Sequence, residues 1–193
     1  MPGEVLNVAG LSKFRWLLLP LILLLSSPAS SAEFKIKNLS SRLADGEYWM
    51  EADIDYRFSD KAIEALVNGV PLTLEVHVQL RDKDAWIWQD DLIDARLRYR
   101  IRYLALAAVY QVVDLQADTH QNFHTQRSAF EALGEIRNFS LISADKLEKG
   151  KSYRLSLRSS LDIEALPLPL RPMAYVTASW KLNSDWSELV IKP

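Results

Sequence analysis

From Phe34 onward this chain alternates apolar and polar residues with a period of two, the pattern of strands that bury one face and wet the other. Tyr48, Met50, Ala52, Ile54, Tyr56 and Phe58 interleave with Trp49, Glu51, Asp53, Asp55 and Arg57. Successive side chains of a strand point to opposite faces, so this reads as a half-buried antiparallel strand. Asp45-Gly46 before it is a turn signal. Leu72, Leu74, Val76, Val78 and Leu80 repeat the pattern against Thr73, Glu75, His77, Gln79 and Arg81. Ile93 to Tyr103 does so again, with Asp94, Arg96, Arg98, Arg100 and Arg102 on its polar side. Tyr153 to Ile163 is a further alternating run, and Met173–Leu182 and Trp186–Ile191 read as the last two strands.

Between these runs the signals change. Ser59 is placed to cap a short helix over Asp60–Val67, which Asn68-Gly69 closes. Ser128 to Ile136 has helical spacing at Ala129, Leu133 and Ile136, and Asp145–Glu148 reads as a helical turn before Lys149-Gly150. The apolar run Leu104–Val113 is rich in β-branched and aromatic residues and reads as strand. Arg81–Asp84 reads as a charged turn, with Ala85–Gln89 opening the strand after it. In Leu166–Pro172 three prolines remove ladder donors, which predicts an extended crossing between sheets. The whole predicts an all-β fold, an antiparallel β-sandwich of seven to nine strands with two or three short helices.

The first 32 residues have a different character. Lys13 and Arg15 precede the apolar run Trp16–Leu25, and small residues follow, with Ser30 and Ala32 at −3 and −1 of a cut before Glu33. This is the pattern of an export signal. The run is too short for a span, which needs about 20 apolar residues. The expectation is a signal peptide over residues 1–32, cleaved after Ala32, and a single domain over 33–193 in the periplasm, with no stable membrane span after cleavage. The chain has no cysteine, which excludes disulfides, thiolate metal sites and a cysteine nucleophile, and an exported domain without disulfides fits a bacterial periplasm. The 23 basic and 25 acidic residues, less Lys13, Arg15 and Glu4, leave a net charge of −3, which gives no reason to expect nucleic acid as a partner.

Four arrangements of residues carry chemical meaning. Arg96, Arg98, Arg100 and Arg102 share one strand face at about 6–7 Å intervals. Such a row can grip an acidic partner through paired guanidinium hydrogen bonds. It can equally form an ion-pair ladder, and Glu51, Asp53 and Asp55 have the matching spacing if their strand is its neighbour. His120 and His124 are spaced for one helix face and make a weak start on a zinc or copper site, with Asp114, Asp118 or His77 as third ligand, although the surrounding residues read as a polar loop. Trp86 and Trp88 lie between the acid pairs Asp82/Asp84 and Asp90/Asp91, a composition that suits a glycan-binding surface or, on weaker grounds, a glycosidase. Trp49, Trp180 and Trp186 could extend that surface or simply fill the core. No nucleophile elbow, Ser-x-x-Lys set or phosphate-cradling glycine loop is present. The chain therefore reads as non-enzymatic, with no catalytic residue and no cofactor assigned.

The order of several segments resembles a known family. An alternating strand runs into Phe58-Ser59-Asp60, and Leu72–Val76 and Trp86-Ile87-Trp88 follow. Tyr99–Tyr103 then leads to Tyr110-Gln111-Val112, and Leu161–Leu170 precedes Trp180–Trp186. Together they resemble an uncharacterised family of exported Gram-negative bacterial proteins, a domain of unknown function. That resemblance covers the chain beyond the signal. It implies an envelope location and a signalling role beside a membrane sensor kinase of the nitrogen-regulation type, with an envelope protein as partner, and it assigns no residue roles.

Overall fold

The computed structural model of the chain describes residues 33–86 and 90–193. The signal peptide and Trp88 therefore lie outside the described residues. Among the described residues nine strands form two antiparallel sheets. β1 (Glu33–Ala44) and β2 (Glu47–Arg57) make a hairpin through the Asp45-Gly46 turn, both of whose residues take positive φ. β3 (Leu72–Asp82), β4 (Ile93–Leu104), β5 (Val109–Asp114), β6 (Thr119–Phe123), β7 (Glu135–Ser143), β8 (Tyr153–Leu161) and β9 (Ser187–Ile191) follow. The three-stranded sheet runs β1-β2-β7 and the six-stranded sheet β6-β5-β4-β3-β8-β9.

The sheets close on each other as a β-sandwich because each has one apolar face. Met50, Ala52, Ile54 and Tyr56 of β2 face Leu72, Leu74, Val76, Val78 and Leu80 of β3 in one continuous core. The phenol of Tyr56 and the hydroxyl of Ser159 on β8 hydrogen-bond at 3.0 Å in its interior, tying one sheet to the other. Edge-on rings at Phe34–Tyr56 (4.8 Å) fill the same layer. Among the described residues the core side chains run from Phe34 to Ile191, and Ala32–Pro193 forms one compact unit.

Among the described residues three helices finish the fold. In α1 (Asp60–Val67) the Ser59 hydroxyl accepts from the Ala62 amide at 3.2 Å, the predicted cap. α2 (Gln126–Gly134) is capped by Thr125 and packs on β2, β5 and β6. α3 is Arg171–Val176. Among the described residues no helix is long and apolar enough to cross a membrane.

Several local expectations are corrected. Leu104–Val113 is not one strand, because the turn Ala105–Ala108 divides it into the end of β4 and the start of β5. The proline segment Leu166–Pro172 is not extended but folds into turns that lead into α3, where Pro172 sits in the first helical turn and needs no donor. Met173–Leu182 consequently holds α3 and the 3-10 turn Ala178–Trp180, not a strand. Trp86 stands outside any strand, against the expected strand over Ala85–Gln89. His120 lies on strand β6, so the helical-face reading of His120 and His124 fails. β6 and β7 had no strand signal. β6 is an exposed edge without alternation, and β7 breaks its own alternation at Asn138, which takes φ 51° where its register with β2 shifts.

Candidate functional site

The period-two rule places the arginine row of β4 on the outer face of the six-stranded sheet, since Leu97 and Ile101 between them point inward. All four arginines are exposed. The expected ladder with Glu51, Asp53 and Asp55 does not exist, because those acids belong to β2 in the other sheet. Their partners are local: Lys37 and Arg57 lie 3.2 Å from Asp55, and Arg42 reaches Glu51 at 3.4 Å. The Arg137 guanidinium holds the Asp53 carboxyl below the usual carboxylate range.

β3 and β5 supply the true neighbours of the arginine row. Arg96 meets Glu75 of β3 at 2.6 Å, and Arg98 pairs with Asp162 beyond the end of β8. Arg102 donates from two nitrogens to the Gln111 side-chain oxygen, at 2.9 and 2.6 Å. Gln111 in turn donates to Asn122 of β6 at 3.0 Å. Arg100 faces Thr73 and Val113 across its two ladders and has no ion pair or hydrogen bond through its side chain among the described residues.

On the far side of β3, strand β8 brings in Arg154 and Arg158. Arg154 stands opposite Arg81, and each is offset by its own acid, Glu188 at 3.5 Å and Asp91 at 3.7 Å. Among the described residues Arg158 bonds only to neutral oxygens, the Ser184 carbonyl at 3.2 Å and the Asn183 side chain. Beside it the His77 ring lies 5.3 Å from the Trp186 ring and shares a 2.6 Å hydrogen bond with Asp94. Arg96, Arg158, His77 and Trp186 line a groove of about 380 Å³. The sequence does not mark Arg158 as a site residue, and it offers Trp186 only as an extension of a glycan-binding surface around Trp86 and Trp88. The alternation of β8 marks Arg158 as outward, but its position two strands from Arg100 depends on the β4-β3-β8 order.

The sheet face thus carries three arginines without a carboxylate among the described residues, namely Arg100, Arg102 and Arg158. On a chain of net charge −2, that is a local positive surplus. An unpaired guanidinium in partial contact with water keeps its fork of donors available for a carboxylate.

The remaining candidates are dispersed. Trp86 is 78% exposed and its carbonyl accepts from Arg81 at 2.8 Å. Asp82 is drawn onto the Asp84 amide and the Lys151 ammonium, and its carboxyl is held low, first by that amide and then by Lys151. Asp91 accepts from Gln79 at 3.1 Å. These contacts build the β3–β4 turn. His120 and His124 are exposed, and among the described residues no group of three metal-ligating side chains converges.

A two-sheet antiparallel sandwich with a cationic outer face defines a class of small β domain. Within that class the family is shown by sequence. The profile of DUF4390, a domain of unknown function, matches residues 31–190, and the chain belongs to that family. No curated protein and no solved structure matches it.

Proposed function

We propose that this is a non-enzymatic periplasmic binding protein, exported with cleavage after Ala32, whose outer six-stranded face engages an acidic segment of an envelope partner. The extracytoplasmic part of a sensor kinase is the partner class that the sequence resemblance implies. The supporting observation is the arginine surplus: among the described residues Arg100, Arg102 and Arg158 share one sheet face without a carboxylate partner, whereas the acids around them are consumed by Arg81, Arg96, Arg98 and Arg154. Complementary charge steers encounter and sets specificity.

Arg100→Glu is the clean test, because among the described residues no hydrogen bond or ion pair is lost with it. Arg98→Glu is not, since it strands Asp162, a half-buried carboxylate. Residues 33–193 serve as bait for envelope extract, beside the Arg100→Glu variant. The expected result is a partner retained by the parent at low salt and held about tenfold less by the variant, with both proteins melting alike. Equal retention by both overturns the reading.

A further inference from the structure

Strand register builds a row of side chains across the outer face, with an arginine fork beside an indole ring at its far end. His77 pairs with Arg96 of β4 on one side and Arg158 of β8 on the other. Ser187 at the start of β9 pairs with Leu157, which sets Trp186 beside Arg158 and carries the row to a fourth strand. Backbone bonds pin the segment before β9 against β8. The Leu161 amide donates to the Leu182 carbonyl and the Ser184 amide to the Ser159 carbonyl, both at 2.8 Å. The Nε and Nη2 groups of Arg158 donate to Ser184 and Asn183 of that segment. Those two bonds fix the plane of the guanidinium, and its Nη1 is left without a partner among the described residues.

The charge and the shape of the groove at this row select a ligand. Arg96, Arg158 and Lys181 line it together with one carboxylate, Glu75, which Arg96 already holds at 2.6 Å. Asp94 is engaged by His77. The surplus is positive, so the ligand is an anion. Its volume of about 380 Å³ is that of a small-molecule site. Trp186 is 41% exposed and supplies an apolar wall, with Ser160 and Asn183 as neutral hydrogen-bonding groups nearby. An inorganic anion or a lone peptide carboxylate satisfies the arginine and leaves the indole wet. A sugar ring has a C–H face that packs on an indole and a rim of hydroxyls that bond to amide and hydroxyl side chains.

We infer that this groove binds a sugar ring bearing a carboxylate, a uronic acid unit of an acidic polysaccharide. Arg158 Nη1 takes the carboxylate, and Trp186 packs against the C–H face of the ring. The tryptophan that serves a glycan is then Trp186, whereas Trp86 lies outside the lining of the groove. Arg100 is also outside it, so the sugar site does not depend on the acidic partner segment proposed above.

The test is calorimetric titration of the purified protein with an oligogalacturonate trimer, a neutral trisaccharide and a glutamate-rich peptide. The expected result is saturable binding of the uronate alone. Arg158→Lys, which keeps the charge and loses the fixed fork, and Trp186→Leu each weaken it about tenfold or more, with melting curves that match the parent. Trp86→Leu leaves it unchanged. Absence of uronate binding overturns the assignment, as does equal binding of the neutral sugar. Equal binding of the peptide overturns it too and returns the groove to a protein partner. Loss of uronate binding in Trp86→Leu but not in Trp186→Leu also rejects it. A protein that retains an envelope partner through Arg100 yet ignores the uronate rejects the sugar site alone.

Discussion

At the scale of single residues, Gly134 shows how little space separates helix from sheet. A Cβ built on it would stand 2.0 Å from the Ile54 carbonyl oxygen, a backbone atom that cannot swing aside. Gly134→Ala must therefore push α2 off β2, and is expected to cost about 3 kcal/mol or more, read as a lower denaturant midpoint at unchanged slope. The arginine row belongs to this scale as well. Its shared face was legible from spacing alone, because the strand period is two. Its partners were not. Glu51, Asp53 and Asp55 have the right spacing on the wrong sheet, while of the acids that do pair Glu75 is marked only as outward by its alternation and Asp162 lies beyond the end of β8. An ion pair needs only that two side chains meet, and which strands meet is a long-range choice.

At the scale of elements, strong local rules held and weak ones gave way. Ser59 caps α1 as expected, and its hydroxyl also donates to the Ser179 carbonyl at 2.6 Å, so one side chain starts the helix and anchors it to the Ala178–Trp180 turn. Ser59→Ala is expected to lower stability by roughly 1–2 kcal/mol, measured by urea unfolding, and Ser59→Asp to recover only the capping part because a carboxylate cannot donate. Alternation found the long two-faced strands and missed β6 and β7. β6 has little buried surface to encode, and the bulge at Asn138 lets β7 change which face its side chains meet. The prolines of Leu166–Pro172 predict a stiff extended crossing, yet fixed φ near −65° suits turns and the first helical turn equally well.

At the scale of the whole molecule, two phenols record how the layers close. Burial pushes the Tyr99 hydroxyl up to about 12, and it raises that of the fully buried Tyr56 further, against the opposing hydrogen bond from Ser159. Both groups hold their protons more tightly folded than unfolded. Their contribution is fully present below the ordinary tyrosine value near 10 and is lost as pH rises from there through the folded values. Melting temperature is therefore expected to fall steeply above about pH 10, and Tyr99→Phe to flatten part of that fall without moving the curve's shape near neutrality. A decline of the same slope in Tyr99→Phe would show that its ionisation is not coupled to folding.

The sequence by itself determined that this chain makes an antiparallel β domain, where its principal strands, its first turn and its first helix lie, and which side of each alternating strand faces water. Those are consequences of period, capping and turn chemistry, all read within a dozen residues. The tertiary structure alone decided that β2 and β4 belong to different sheets and that Arg158 and Trp186 join the arginine row across β3. The reason is that strand order is settled by which apolar faces bury each other best. That competition runs between segments up to a hundred residues apart, and no local pattern records its outcome.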